Sequence, residues 1–395
     1  MKYLHEAFMQ SIYAIGNSDP NPPVGAILVS NKNKIIGSGY TQVYGSHHAE
    51  IMAIEEAKKN HGIDSLIGST LYVTLEPCNH FGKTPPCTTA IKKNQISKVV
   101  IASLDQTDKV NGAEELRSSN IDVKLYNSDD FKDELLWTLD AFHYAQKNKK
   151  PRVILKWAQT SSGWLAPMSG KSGPISNAFS REAVFRIRKL FNSILVTPGT
   201  VLSDRPLLNS RFNGSFSLNL KNENFLLKSL SAFELNYPDE YRKNIKRFIM
   251  LPRLDKNWNE NDLKEYLNLQ ASLEGSYFFI TDDPQQEKLM TSWGFNCFVS
   301  DYSDISGILN YTYKMGAINL MVEAGPSFCK HFIENSVPNL LFIFKSRQEQ
   351  WGKGRGFFLS FDAAQNNENK IKESGYIKLY NIQLNTDELQ VYQKK

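Results

Sequence analysis

The chain has 395 residues, which is enough for two or three domains. With 41% hydrophobic and 12% aromatic residues, its composition is globular and excludes a disordered or low-complexity protein. Four cysteines are too few for a disulfide framework, no apolar run reaches membrane-spanning length, and the N-terminal residues lack the order of a secretory signal. We therefore expect a cytoplasmic protein without membrane segments.

The net charge of +5 is unevenly divided along the chain. Residues 1–146 contain 13 basic and 17 acidic side chains, whereas the remainder contains 33 basic and 24 acidic ones. A basic second half suits a phosphorylated ligand, and it suits a nucleic acid about as well. Charge alone therefore does not choose between these two partners.

The first 146 residues alternate between helical and extended patterns. In chain order the predicted elements are a helix at 6–14, strands at 24–29 and 35–40, a helix opened by His48, a strand at 69–75, a helix beginning at Pro86-Cys87, strands at 98–102 and 121–123, and a helix at 131–146. This order predicts a layered sheet with helices on its faces. Ligands of such sheets bind at the carboxyl ends of strands, where Glu76-Pro77-Cys78 follows the strand at 69–75.

Two segments next to these elements carry a metal-binding pattern. His48, Cys78 and Cys87 offer one imidazole and two thiols, the three-ligand set of a catalytic zinc that keeps one position open for water. Glu50, two residues after His48, remains unligated and can move protons between water and a substrate amine. A His-x-Glu motif followed by Pro-Cys is typical of zinc deaminases, although eight residues separate the cysteines here and two in the general pattern.

Ordinary packing is the alternative interpretation of these cysteines, because free Cys often serves as a small buried hydrophobe. Pro77 precedes the first cysteine, Pro85-Pro86 precedes the second, and a His-Ala-Glu motif lies upstream at a predicted helix start. Together these neighbours favour zinc. Cys297 and Cys329, in apolar surroundings, are predicted to be inert core residues.

A polar, charged hinge at 147–151 predicts a domain boundary, with domains at 1–146 and 151–395. The second domain alternates as well, with predicted strands at 152–156, 193–197, 247–251, 277–281, 318–322 and 340–344 and helices at 179–190 and 328–335. Residues 209–244 are polar and carry no clear element. Two glycine turns, at 322–327 and 352–356, suit phosphate, but most such turns bind nothing.

The motifs together resemble the bifunctional deaminase–reductase family of riboflavin biosynthesis. The resemblance rests on Pro20–Gly25, His48–Glu50 and the run from Glu76 to Cys87 in the first half, and on 155–158, 200–208 and 322–326 in the second. It implies an α/β architecture in which a cytidine-deaminase-like three-layer domain precedes a dihydrofolate-reductase-like α/β domain.

The resemblance implies two steps on a phosphorylated pyrimidine. Zinc-dependent hydrolysis removes the amine at C2 of 2,5-diamino-6-(5-phosphoribosylamino)pyrimidin-4-one, with Glu50 as the proton carrier, and NADPH then reduces the ribosyl group to ribityl. For the first step it implies substrate contacts by Asn21, Lys83 and Thr84. For the second it implies substrate contacts by Lys156, Ser176, Arg188, Arg211 and Glu323, and cofactor contacts by Ala158, Thr200, Asp204 and Gly325. We expect no nucleic-acid or membrane partner, and a homo-oligomer.

Some positions depart from the family pattern. Thr160-Ser161-Ser162-Gly163 replaces Ser-Leu-Asp-Gly, and Asp105-Gln106-Thr107-Asp108 replaces Asp-Pro-Asn-Pro. An enzyme that only deaminates, with a scaffolding second half, is therefore a second hypothesis. A nucleic-acid base deaminase with a basic RNA-binding extension is a third hypothesis. The absence of an RNA-binding motif from the sequence argues against it. A non-catalytic zinc module is a fourth, and the intact Glu50 argues against it.

Overall fold

The computed structural model describes residues 1–107, 110–126, 128–167, 175–208, 226, 245–347, 354–355 and 367–395. The described chain divides into two compact units, and the first unit passes into the second between Asn148 and Lys149. This point falls within the predicted hinge at 147–151. Among the described residues, no helix combines the length and the apolar character needed to span a bilayer.

The first unit contains a five-stranded sheet in the order β2-β1-β3-β4-β5, as far as the chain is described. Strands β1 and β3 are antiparallel, whereas β3, β4 and β5 run parallel. The strands are β1 (Gly25–Val29), β2 (Ile35–Tyr40), β3 (Thr70–Leu75), β4 (Lys98–Ser103) and β5 (Asp122–Leu125). The helices are α1 (Lys2–Ser11), α2 (Ala49–His61), α3 (Cys87–Lys93), α4 (Gly112–Ser118), α5 (Lys132–Trp137) and α6 (Asp140–Asn148).

Helices cover both faces of this sheet. A Cβ atom on Gly25 would lie 1.9 Å from the carbonyl oxygen of Ala7 in α1, and one on Gly39 would lie 2.4 Å from that of Ala49 in α2. Gly39 pairs with Ala26. Because paired residues share a face and successive residues alternate, Gly25 and Gly39 lie on opposite faces. The layered arrangement predicted from the sequence is therefore present, with α1 and α2 on opposite sides.

Two features of this unit differ from the predicted elements. The helix predicted across residues 131–146 is divided into α5 and α6 at Thr138, whose hydroxyl donates to the carbonyl oxygen of Glu134 at 2.8 Å. Such a bond to the preceding turn bends a helix. Helix α4 was not predicted, because it is short and begins with a glycine.

The second unit contains a nine-stranded sheet among the described residues, in the order β11-β10-β9-β8-β12-β6-β13-β16-β15. The first seven strands in this order, from β11 to β13, pair in parallel. Strand β16 is antiparallel to β13, and β15 is antiparallel to β16. Its strands are β6 (Arg152–Gln159), β8 (Ser193–Val196), β9 (Lys246–Met250), β10 (Tyr277–Thr281), β11 (Cys297–Val299), β12 (Asn319–Glu323), β13 (Leu340–Lys345), β15 (Tyr376–Leu384) and β16 (Asp387–Lys394). Strands β7 (Ala166–Pro167) and β14 (Gly354–Arg355) form a separate pair.

Four of the described helices in the second unit begin at short polar side chains that accept the free N–H groups of the first turn. Asn177, Asp283 and Asp304 each accept such a bond, and Asn259 forms a capping box with Asp262. The helices are α7 (Ala178–Arg188), α8 (Pro198–Asp204), α9 (Glu260–Ser272), α10 (Pro284–Ser292), α11 (Ile305–Lys314), α12 (Pro326–Glu334) and α13 (Asn367–Glu373). Apolar side chains of the central strands form the core between these helices and the sheet.

Candidate metal centre and a second polar cluster

His48, Cys78 and Cys87 come together in the first unit. Their ligand atoms all lie within 4.8 Å of one another, and they form the one such group found among the described residues. The Sγ atoms of Cys78 and Cys87 lie 3.5 and 3.3 Å from Nδ1 of His48. One imidazole and two sulfurs at these distances fit a tetrahedral zinc that leaves one position open.

Local structure brings each of the three ligands to this point. His48 is the residue before the first turn of α2, Cys78 follows β3 after Pro77, and Cys87 is the first residue of α3. The backbone N–H of Cys87 points at Cys78 Sγ, 3.4 Å away. A helix N-terminus favours negative charge, so this position stabilises a thiolate.

The two cysteines differ in acidity. The pKa of Cys78 is lowered to about 4, first because the Cys87 thiol donates to it and then because of the His48 imidazole. The pKa of Cys87 is raised well above its ordinary value, first by that same donation and then by burial. A zinc ion would take the place of the shared proton and bind both sulfurs as thiolates.

Glu50 lies in the first turn of α2 and is only 3% exposed. Burial raises the pKa of its carboxyl group above the ordinary 4.5, against the opposing effect of His48. A carboxyl group with a raised pKa is suited to accept and return a proton in one reaction.

A cavity of about 350 Å³ opens onto this group and includes His48, Glu50 and Cys78 in its wall. Asn21, predicted to contact the pyrimidine, also lines the cavity. Several further lining residues were not predicted from the sequence, namely Tyr44, Asp105, Thr107, Phe142 and Gln146. Asp105 and Thr107 lie in the segment 105–108, whose departure from the family pattern was the available signal for them. Nothing in the sequence connected α6, which contributes Phe142 and Gln146, with this site.

Lys83 and Thr84 are not among the described residues that line the cavity. Lys83 is exposed, and its Nζ lies 4.1 Å from the ring centre of Tyr44, which does line it. Thr84 is half-buried, and its carbonyl oxygen accepts a hydrogen bond from the Gly82 N–H at 3.2 Å. Lys83 therefore lies beside the cavity rim and can reach a charged group that projects from it.

In the second unit, four residues that the resemblance assigned to substrate or cofactor form one cluster. Glu323 ends β12, and its Oε1 lies 2.8 Å from Nε and Nη2 of Arg188. Lys156 pairs with Glu323 across β6 and β12, with Nζ 3.9 Å from Oε2. The Thr200 hydroxyl donates to the carbonyl oxygen of Glu323 at 3.4 Å. Burial opposes ionisation of Glu323, but Arg188 and Lys156 outweigh it and lower its pKa.

The remaining predicted residues of this unit lie near the ends of its elements. Ala158 lies on β6 opposite Phe344, Asp204 is the exposed last residue of α8, and Gly325 precedes α12. The carbonyl oxygen of Ser176 accepts a hydrogen bond from Arg181 at 2.6 Å. Arg211 lies outside the described residues, as do residues 209–225 and 227–244.

Comparison with known proteins matches both halves of the chain. The family model for the zinc-binding region of cytidine and deoxycytidylate deaminases matches residues 2–103, and the model for the RibD C-terminal domain matches residues 151–344. The riboflavin biosynthesis protein RibD of Aquifex aeolicus is 32% identical over 333 residues, which is 83% of this chain and 82% of that protein. The RibD of Buchnera aphidicola is 30% identical over 339 residues, 83% of this chain and 81% of that protein.

A solved structure extends the match to the fold. The diaminohydroxyphosphoribosylaminopyrimidine deaminase/5-amino-6-(5-phosphoribosylamino)uracil reductase of Thermotoga maritima is 26% identical, with a TM-score of 0.74 over all of this chain and 98% of that one. The predicted fold class, a cytidine-deaminase-like domain followed by a dihydrofolate-reductase-like domain, is thereby confirmed.

Proposed function

Because this chain belongs to the family of riboflavin biosynthesis protein RibD, we infer that it is a bifunctional enzyme that deaminates and then reduces its substrate. The first step hydrolyses 2,5-diamino-6-(5-phosphoribosylamino)pyrimidin-4-one, and the second reduces the ribosyl group of the product to ribityl. We propose that residues 1–146 carry the deaminase and residues 151–395 the reductase.

In the deaminase, His48, Cys78 and Cys87 hold zinc, which supplies the Lewis acidity for hydrolysis. Glu50 takes a proton from the attacking water and passes it to the amine that leaves C2 of the pyrimidine. The second proton of the water goes to the ring nitrogen next to C2 as the C–N bond to the amine breaks. The products are ammonia and the ring carbonyl beside an N–H, and the carboxylate is regenerated in each cycle. The buried position of Glu50 and its raised pKa support this role.

The cavity beside the zinc group takes the pyrimidine. Asn21 contacts the ring, and an amide suits this task because it both donates and accepts hydrogen bonds. Lys83 and Thr84 receive the ribose phosphate outside the cavity, where the exposed Lys83 ammonium provides a charge-assisted bond. A phosphate at the rim leaves the ring free to enter toward Glu50.

In the reductase, NADPH supplies the hydride, and Ala158, Thr200, Asp204 and Gly325 hold the cofactor. A Cβ on Gly325 would meet no atom within 4 Å, so there is open space at the N-terminus of α12. The free N–H groups of that first helical turn suit a phosphate. This open helix start supports placing a phosphate group of the cofactor here.

The substrate of the reductase lies against Lys156, Ser176, Arg188, Arg211 and Glu323. Glu323 is held by two cations, one guanidinium and one ammonium. Two cations against one carboxylate leave an excess positive charge in this cluster, which favours a phosphorylated sugar.

The observation that carries the proposal is the zinc-ligand group with the buried Glu50 carboxyl in the same cavity. The decisive experiment measures both half-reactions on one purified sample, as ammonia release from the diaminopyrimidine and as NADPH oxidation with the deaminated product. We expect both activities. Ammonia release without NADPH oxidation would support a deaminase with a scaffolding second half. The absence of both activities would contradict the proposal.

A further inference from the structure

The segment Arg205–Leu208, directly after α8, has an unusual backbone. Arg205 has φ 38° and ψ 56°, and Leu208 has φ 55° although its side chain is only 1% exposed. Both residues are in the left-handed region, which bulky side chains rarely adopt. Such a conformation persists only when surrounding contacts hold it, and it is often found next to functional sites.

Three side chains of α9 provide those contacts. Asp262, Tyr266 and Gln270 are spaced four residues apart and therefore lie on one face of the helix. Asp262 Oδ1 lies 2.5 Å from Nη2 of Arg205. The Tyr266 hydroxyl and the Gln270 amide both donate to the carbonyl oxygen of Pro206, at 3.0 and 2.9 Å.

This face of α9 is itself fixed in place. The Gln270 side-chain oxygen accepts a hydrogen bond from the buried Arg247 of β9 at 3.0 Å, so its NH₂ group is the end that points toward Pro206. Asp262 also accepts from the backbone N–H of Asn259 as part of the capping box, at 3.1 Å. The same three side chains thus connect the segment Arg205–Leu208 to the start of α9 and, through Arg247, to β9.

We propose that Asp262, Tyr266 and Gln270 are positioning residues for the cofactor site, which act through Arg205 and Pro206. Asp204, immediately before the segment, and Thr200, one helical turn earlier, are the residues assigned to NADPH, and this inference rests on that assignment. By holding the segment that contains the left-handed residues Arg205 and Leu208, the three side chains keep the end of α8 in the orientation that binds the cofactor. Their loss weakens NADPH binding without removing a group that touches it.

The test uses two substitutions that each remove one donor to Pro206. Tyr266→Phe removes only a hydroxyl group. Gln270→Glu keeps an acceptor for Arg247 but has no N–H to offer the Pro206 carbonyl. For each full-length variant we expect the Kd and KM for NADPH to rise about fivefold, the equivalent of one lost hydrogen bond, with kcat at saturating NADPH unchanged. Amide hydrogen exchange at Arg205, Leu207 and Leu208 should become faster.

Leu267→Ala is the matched control. Leu267 is equally buried in α9, and its truncation lowers stability without removing any contact to Arg205 or Pro206. We expect a lower Tm with an unchanged Kd for NADPH. The proposal is overturned if Tyr266→Phe and Gln270→Glu leave the Kd unchanged, or if Leu267→Ala raises it as much. A wild-type protein that does not bind NADPH would instead contradict the assignment of the cofactor, and with it this inference.

Discussion

At the scale of single residues, burial gives Glu50 its chemical character. An exposed glutamate is a carboxylate at neutral pH, and it returns a proton poorly. Glu50 is only 3% exposed, so its charged form is penalised and its pKa is raised, even though the nearby His48 works in the opposite direction. The pKa thereby moves toward the range in which one group can both take up and release a proton.

Replacing Glu50 with Gln should reduce ammonia release by about 10²–10⁴-fold, because the amide cannot carry the proton. Zinc content should stay at one ion per chain, because the three ligands are unchanged. Metal analysis and an ammonia assay on the same preparation measure both quantities. Glu55→Gln, an exposed change on the same helix, is the control and should retain full activity. Ammonia release at the wild-type rate by Glu50→Gln would show that another group moves the proton.

Glu323 shows the opposite electrostatic balance. Arg188 and Lys156 hold its pKa below the ordinary 4.5 despite burial. A carboxyl group whose folded-state pKa is lowered contributes stability that is fully present above its unfolded pKa and is lost as the pH falls through the folded value. The contribution of this group should therefore be complete above about pH 4.5 and should decline in more acid solution.

Replacing Glu323 with Gln should lower the free energy of unfolding by about 3 kcal/mol at pH 7, because two cations lose their buried partner. The difference from the wild type should shrink as the pH falls below 4.5 and through the lowered pKa of Glu323, because the wild-type carboxylate is then protonated as well. Urea denaturation at a series of pH values measures this. Glu334→Gln removes an exposed ion pair with Lys330 and should cost less than about 1 kcal/mol at any pH. A pH-independent difference for Glu323→Gln would exclude the electrostatic explanation.

At the scale of elements, the metal-binding loop and the start of α4 support each other. The Glu76 carboxylate accepts hydrogen bonds from the N–H groups of Ala113 and Asp105, at 2.8 and 3.2 Å. Asn79 accepts a further bond from the N–H of Asn111 at 3.1 Å. Residues on both sides of Cys78 thus cap a helix that follows more than 30 residues later, which holds Cys78 in position.

Gly112 makes this contact sensitive to a single methyl group. A Cβ at Gly112 would lie 1.9 Å from the carbonyl oxygen of Pro77, the residue before Cys78. Gly112→Ala should therefore displace the loop, at a cost of about 1–3 kcal/mol in stability, and it should weaken zinc binding and ammonia release together. Zinc competition with a chromogenic chelator measures the affinity.

Gly199→Ala is a matched control for that experiment, because a Cβ at Gly199 in α8 would meet no atom within 4 Å. It should leave zinc affinity and ammonia release unchanged. Unchanged zinc affinity in Gly112→Ala would mean that the loop accommodates the methyl group without moving Cys78.

At the scale of the whole molecule, the two groups of functional side chains lie in separate compact units. The zinc-ligand group and Glu50 belong to the unit that contains residues 1–148, and the Glu323 cluster belongs to the unit that contains β6, α7 and β12. Each unit has its own sheet and its own buried core. The reduction should therefore not depend on the metal site.

Removal of zinc with a chelator should abolish ammonia release and leave NADPH oxidation within about twofold of the holoenzyme when the deaminated substrate is supplied. Readdition of zinc should restore deamination, which controls for irreversible unfolding. Loss of both activities on chelation, with both restored by zinc, would show that the reductase depends on the metal-bound unit.

The sequence alone determined what depends on local order. Prolines and a helix start beside His48, Cys78 and Cys87 predicted a zinc group, and the structure brings those three side chains together. Strand patterns also predicted the central elements, because apolar periodicity reflects burial. By contrast, the sequence did not predict that the helix at 131–146 is interrupted at Thr138.

Only the tertiary structure decided the features that depend on residues far apart in the chain. The cap of α4 is the carboxylate of Glu76, 37 residues before Ala113, and the left-handed turn at Arg205 is held by Asp262, 57 residues later. Neither residue carries a local signal of these partners, because a hydrogen bond depends on distance in space and not on separation in sequence. For the same reason the contribution of α6 to the cavity, through Phe142 and Gln146, could not be predicted from its sequence.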